Sequence, residues 1–123
     1  MTQKTKKHSI AVDFDGVIHR YSRGWQDGTI YDPPMPGVRP ALMALQKKFK
    51  IIIFSRRAYV KSQGTVAIKK WLDKNKIPYN SVTKIKPMAR WYIDDRAIRF
   101  ITWPKTLKEL GRLEKNYPFK NRK

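Results

Sequence analysis

The sequence predicts an α/β fold in which a mainly parallel sheet is flanked by helices, and three observations predict it. The 123 residues suit a single domain, and an apolar content of 41% before glycine is counted is enough for one packed core. Short apolar runs alternate with segments whose apolar residues recur every three or four positions, which favours parallel strands joined by helices. The run over residues 50–55 contains three consecutive isoleucines, typical of a strand buried on both faces.

The predicted elements alternate along the chain, apart from two short strands that follow each other late in the sequence. The strands cover residues 9–14, 50–55, 82–85 and 91–93, with residues 99–102 as a candidate fifth strand. The helices cover residues 37–49, 59–74 and 106–116. Ligands of such sheets bind beyond the carboxyl ends of the strands, so we expect the chemistry there.

Apolar residues identify the last two predicted helices. In the second helix we expect Val66, Ile68, Trp71 and Leu72 to reach the core, while Gly64 weakens the helix. The third helix is indicated by Leu107, Leu110 and Leu113, spaced three residues apart.

Two segments stand outside this alternation. Residues 16–36 are rich in Gly, Pro, Asp and Tyr and have no helical period, which predicts a long loop or small hairpin, called the flap below. Residues 117–123 form a basic tail. We therefore expect one domain over residues 1–123 with a small insertion and no large second domain.

Composition narrows the classes of partner. There are 28 basic and nine acidic residues, so the formal charge is +19, far above the roughly 2–8 that solubility requires. This excess favours a polyanionic partner, although a merely well-solvated basic surface would give the same count. No cysteine is present, which excludes disulfides and zinc–thiolate sites and suits a cytoplasmic location. The longest apolar run is about six residues, too short for a membrane span.

Four of the nine acidic residues follow predicted strands: Asp13 and Asp15 after the first, Asp94 and Asp95 after the fourth. Clustered carboxylates repel one another and need a cation. Oxygen ligands without cysteine favour Mg²⁺. Taken alone, each pair also suits a simpler interpretation, a turn at a strand end for the first and a salt-bridged surface turn for the second.

Two further polar positions follow strands. Ser55 ends the isoleucine-rich strand, where its hydroxyl suits a phosphate oxygen or, equally, a helix cap. Lys84 and Lys86 follow the third strand, and Lys86 is the more constrained because Pro87 comes next. Acidic pair, serine, lysine and acidic pair thus occur in order, each at the carboxyl end of a strand.

This ordered set resembles the haloacid dehalogenase (HAD) superfamily of phosphohydrolases, in particular its short members in phage and bacterial genomes. The matching segments are DFDGV at residues 13–17, IIIFS ending at Ser55, the pair Lys86-Pro87, and YIDD ending at Asp95. The resemblance covers nearly the whole chain. It implies a three-layer Rossmann-like core, a Mg²⁺ cofactor and phosphoryl transfer through an aspartyl-phosphate.

The resemblance also implies residue roles. Asp13 would be the nucleophile and a metal ligand, and Asp15 would act as acid and base while its backbone carbonyl binds the metal. Ser55 would bind the phosphoryl group, and Lys86, with Lys84 as the competing choice, would neutralise developing charge. Asp94 would bind the metal directly. Asp95 would support the metal site without direct coordination, through a ligand or through water.

The short spacing between motifs implies a capless enzyme, or one with only the flap over its site. An open site suits large substrates, and the charge favours a phosphorylated nucleotide or polynucleotide end. Tyr21, Trp25 and Tyr31 of the flap either stack on bases or form the flap's own core. Two other functions use the same features: a metal-dependent nuclease, and a nucleic-acid-binding module with a vestigial site.

Overall fold

The computed structural model describes residues 7–59 and 64–117 and contains a four-stranded sheet. The strands are β1 (His8–Asp13), β2 (Phe49–Phe54), β3 (Ser81–Thr83) and β4 (Trp91–Ile93). Their order is β3-β2-β1-β4, and all three pairings are parallel. The α/β class with parallel strands is therefore confirmed, and the architecture is compatible with a Rossmann-like fold.

The core lies around β1 and β2, the two central strands of the sheet. Ile10, Ala11 and Val12 are all buried, so β1 is covered on both faces. In β2, Ile51 and Ile53 are fully buried but Ile52 between them is only partly covered. The expectation of a strand buried on both faces is thus met more fully by β1 than by β2.

Three α-helices complete the fold: α1 (Val38–Gln46), α2 (Gly64–Lys74) and α3 (Trp103–Lys115). Gly37 caps α1 with a φ of 84°, a left-handed conformation that favours glycine. A short 3-10 helix over Arg56–Tyr59 replaces the predicted start of the second helix, and residues 60–63 lie outside the described part.

The C-terminal third departs from the prediction. Residues 99–102 form no strand, and α3 begins three residues earlier than expected, because the Thr102 side chain accepts a hydrogen bond from the Lys105 N–H and proline stands in the first turn. The leucine spacing correctly predicts a helix here, but within α3 no residue is buried, and Leu107, Leu110 and Leu113 are exposed. Of the predicted basic tail, residues 118–123 lie outside the described residues.

In α2, the residues that pack inward are Ile68 and Leu72, both fully buried, with Trp71 packed beside them. Val66 is exposed, which corrects its expected place in the core. Two turns of helix present one apolar stripe to the sheet, and Val66 falls on the opposite side.

The flap contains no strands, only two isolated bridges, Asp15 with His19 and His19 with Pro34. It is organised around the fully buried His19, whose ring stacks on Phe14 and meets the rings of Tyr21 and Tyr31. The flap is therefore a compact loop anchored to the end of β1.

No helix within the described residues is long and apolar enough to cross a membrane.

Two glycines test how the fold uses this residue. A Cβ on Gly64 would lie 2.5 Å from the Ala58 carbonyl oxygen, whereas a Cβ on Gly111 in the middle of α3 would meet nothing within 4 Å. Gly64→Ala is expected to destabilise the protein by about 1–3 kcal/mol through overpacking. Gly111→Ala is expected to stabilise it by about 0.5–1 kcal/mol through helix propensity. Urea unfolding of both variants measures the pair, and equal effects of the same sign would contradict the close approach.

Candidate active site

The sheet topology brings the two acidic pairs together. β1 and β4 pair in parallel with Val12 opposite Ile93, so Asp13 and Asp94 each follow the last paired residue of their strand. One carboxylate oxygen from each of Asp13, Asp94 and Asp95 lies within 4.8 Å of the other two. Residues some 80 positions apart in sequence thus form one cluster of hard oxygen donors, the type of ligand Mg²⁺ prefers.

The turn after β1 fixes the direction of Asp13. The Phe14 carbonyl accepts hydrogen bonds from the N–H groups of Val17, Ile18 and His19, and Gly16 adopts a φ of 86°. The Asp13 Oδ1 atom accepts the Phe14 N–H at 2.9 Å. The chain therefore turns sharply at DFDG and leaves the Asp13 carboxylate at the sheet edge.

The environment of Asp13 opposes its ionisation. Burial, and then the negative charges of Asp94 and Asp95, raise its pKa to about 7, and the hydrogen bond from Phe14 only partly offsets them. A bound divalent cation would remove this repulsion and restore the carboxylate.

Asp15 lies in the same pocket, but its carboxylate is not part of the three-residue cluster. Its Oδ1 atom contacts His19 Nδ1 at 2.8 Å, and the Arg57 guanidinium donates to both carboxylate oxygens at 3.1–3.3 Å. The Asp32 N–H donates to His19 Nε2, so the proton of the neutral ring is on Nδ1 and is donated to Asp15. Asp15 thus serves as an acceptor between two buried donors.

Sequence reasoning missed His19 and Arg57. Arg57 is only 3% exposed, and besides Asp15 it donates to the Gly28 carbonyl and lies 4.7 Å from the centre of the Trp25 ring. It therefore joins the residues after β2 to the flap. The available signal was the Arg-Arg pair following Ser55, since an arginine beside an acidic strand end is a natural ion-pair partner.

The position of Ser55 is compatible with both alternatives that the sequence left open, a helix cap and a hydroxyl beside a phosphate site. Its Oγ atom accepts the Arg57 N–H at 3.1 Å, which caps the 3-10 helix, and the residue also lines the pocket that holds Asp13. The hydroxyl proton is not used by this bond, so a serine in this position has a donor to offer to an anion.

The two lysines are placed differently from the expectation. Among the described residues, neither Lys84 nor Lys86 lines the pocket around Asp13. Lys86 is exposed, and its Nζ atom lies 4.6 Å from the centre of the Tyr92 ring. The cations that do line the pocket are Arg56, Arg57 and Arg96.

The pocket has a volume of about 660 Å³ and an aromatic wall from the flap. Tyr21 is buried but also lines the pocket, while the Tyr31 hydroxyl is held between the Arg23 N–H and the Gly24 carbonyl within the flap. Trp25 is 40% exposed and lines the pocket. Tyr31 is thus part of the flap's own packing, and Tyr21 and Trp25 both contribute to the pocket wall.

No family model, curated protein or solved structure matches the chain. The function of the pocket is therefore argued from the chemistry of its own residues.

Replacing Asp13 with asparagine tests the charge repulsion in the cluster. Because the folded-state pKa is raised above the ordinary value of 3.8, wild type without metal loses stability as the pH rises from about 4 to 7. Asp13→Asn avoids this loss and is expected to be more stable than wild type by about 1–3 kcal/mol above pH 7, and equal to it below pH 4. Thermal unfolding in EDTA across this range measures the difference. Asp73→Asn, on the exposed side of α2, is the matched control, and a pH-independent difference at position 13 would contradict the prediction.

The Asp15–Arg57 pair is tested by a double-mutant cycle. Arg57→Gln leaves a partly buried carboxylate without its cation, and we expect a loss of about 2–4 kcal/mol. Adding Asp15→Asn removes the uncompensated charge and should recover part of that loss. Urea unfolding of the two single variants and the double variant gives the coupling energy. Strict additivity would show that the two side chains do not interact in solution.

Proposed function

We propose that the chain is a Mg²⁺-dependent phosphohydrolase of the haloacid dehalogenase type that removes a terminal phosphate from a nucleotide or polynucleotide. The observation that carries the proposal is the convergence of Asp13, Asp94 and Asp95, the first two of which line a pocket that also contains Ser55 and three arginines. Carboxylates suit a hard cation, while hydroxyl and guanidinium donors suit a phosphoryl group, and the pocket offers both side by side.

The donor set fits Mg²⁺. All three groups are carboxylates, their oxygens are close enough to share one ion, and burial together with repulsion from Asp94 and Asp95 raises the pKa of Asp13 to about 7. Asp13, Asp94 and Asp95 would hold the ion. When bound, Mg²⁺ would supply positive charge that lets the carboxylate and a phosphate dianion approach each other.

In the proposed reaction an Asp13 carboxylate oxygen attacks phosphorus, and the bond from phosphorus to the leaving oxygen breaks. Water then attacks the aspartyl-phosphate, which releases inorganic phosphate and restores the carboxylate. The hydrogen bond from the Phe14 N–H to Oδ1 orients the Asp13 carboxyl group. The Ser55 hydroxyl, buried at the pocket wall, would donate to a phosphoryl oxygen.

The hydrogen bonds that Asp15 already accepts limit which of its oxygens can transfer a proton in the reaction. Its Oδ1 atom already accepts from His19 and Arg57, while its Oδ2 atom accepts one hydrogen bond from the described residues, that of Arg57 Nε. Oδ2 is thus the atom that would pass a proton to the leaving oxygen and later take one from water. His19 and Arg57 would keep the carboxyl group in place during both transfers.

In the family that the sequence resembles, a lysine neutralises the developing charge, and Lys86 is the residue of this chain that matches it. From its position over Tyr92 it would have to change rotamer to reach the pocket. Arg56 and Arg96 already line the pocket and would supply positive charge there. We therefore assign the first contact with an incoming phosphate to the arginines.

Phosphate release tests the proposed function. Wild type is expected to release inorganic phosphate from p-nitrophenyl phosphate and from end-phosphorylated oligonucleotides with Mg²⁺, and to lose this activity in EDTA. Asp13→Asn should lower kcat at least about 1,000-fold because the nucleophile is absent, while Asp73→Asn should match wild type.

Two other outcomes would overturn the proposal. Internal cutting of a plasmid or oligonucleotide without terminal phosphate release would identify a metal-dependent nuclease. Salt-sensitive oligonucleotide binding with no turnover of either kind would identify a binding module with a vestigial site.

A further inference from the structure

From the flap and the arginines around the pocket, we infer a subsite for the end of a single-stranded polynucleotide, with Trp25 stacking on the terminal base and Arg56 and Arg96 binding the next phosphate. The inference rests on the proposed function for the position of the terminal phosphate near Asp13. It goes further in naming the residues that would select a polynucleotide over a small phosphate ester.

The Trp25 ring is held in a fixed position. The Arg57 guanidinium lies 4.7 Å from the ring centre, and the Gly28 backbone is so close that a Cβ there would be 3.1 Å from the ring. Gly28 also adopts a φ of 88°, a conformation that favours glycine. Arg57, itself fixed by Asp15 and the Gly28 carbonyl, thus packs against the ring and holds it in place.

A fixed ring that remains exposed is suited to stacking. Trp25 stays 40% exposed although two groups pack on it, and it lines the same pocket as Asp13. Of the other two aromatic residues considered for this role, Tyr21 lines the pocket but is only 6% exposed, and the Tyr31 hydroxyl is bound to the Gly24 carbonyl inside the flap. Every nucleobase has a flat face, so one pre-positioned indole accepts a terminal base without selecting its sequence.

The neighbouring cations favour a chain over a mononucleotide. Arg56 and Arg96 are exposed and line the pocket, while Arg57 is already paired with Asp15. A mononucleotide offers one phosphate, which the site near Asp13 and Ser55 would take. Two additional arginines suit a second phosphate, and the formal charge of +19 favours an extended polyanion.

The first arm of the test compares two kinds of substrate, of which only one is long enough to reach the subsite, by the effect of each substitution relative to wild type on the same substrate. Initial rates are measured for acetyl phosphate, which has no ring, and for two ten-residue oligothymidylates, one phosphorylated at the 5′ end and the other at the 3′ end. Trp25→Ala is expected to lower kcat/KM for the oligonucleotide at least about fivefold more than for acetyl phosphate, mainly through KM. Trp25→Phe should recover most of the difference. Trp103→Ala, which removes a more exposed tryptophan from α3, should match wild type.

The second arm measures binding without turnover. Fluorescence anisotropy of the labelled oligonucleotide is followed in EDTA as the salt concentration changes. Arg56→Gln and Arg96→Gln should each reduce the slope of log K against log salt by about 0.7, the value for one phosphate contact on a single strand. Arg39→Gln, on the exposed side of α1, should leave the slope unchanged.

The outcomes separate this inference from the proposed function. If Trp25→Ala lowers both activities equally, or neither, and the slopes of the arginine variants match that of Arg39→Gln, the subsite is overturned while the phosphatase stands. If wild type releases no phosphate from either substrate, the phosphatase fails and anisotropy decides: binding weakened by Trp25→Ala supports the subsite, and unchanged binding overturns it.

Discussion

The parallel pairing of β1 with β4 is the constraint on which the pocket depends. It sets Val12 opposite Ile93, and each strand then continues directly into its acidic residues. Three carboxylates meet there, at a cost visible in the pKa of Asp13, which burial and the charges of Asp94 and Asp95 raise to about 7. Repulsion among carboxylates that no cation neutralises destabilises the folded protein. Its presence in a chain with only nine acidic residues is what gives the cluster functional weight.

A second constraint ties the rest of the pocket to that cluster. Arg57 is nearly fully buried, and its guanidinium contacts Asp15, the Gly28 carbonyl and the Trp25 ring. One side chain thus connects the turn after β1, the helix after β2 and the flap. A buried cation is unfavourable unless it is fully paired, so these three segments have to be in place together. The flap is therefore part of the pocket wall and is held there by electrostatics more than by strand pairing.

The parts of this arrangement that the sequence predicts are those fixed by local pattern. The isoleucines of β2 identify a buried strand, and the apolar-to-acidic transition at Ile93 identifies a strand end. Such patterns do not predict contacts that depend on the direction in which a side chain points. Leu107 and Leu110 have the spacing of a core-facing helix, yet α3 buries none of its residues, since periodicity defines a face without defining what covers it. Lys86 follows a strand as expected but lies over Tyr92, because a long flexible side chain is not located by its backbone position.

The contrast between the pocket and the remaining surface would let the proposed site attract both a cation and a polyanion. The excess of basic residues draws polyanions toward the protein from a distance, where individual carboxylates are not resolved. At close range the acids near Asp13 repel a phosphate and the arginines beside them attract it. A phosphate is therefore expected to remain near Arg56 and Arg96 until the negative charge of the cluster is neutralised. The same ordering favours a substrate with more than one phosphate, since one group can stay on the arginines while another reaches the carboxylates.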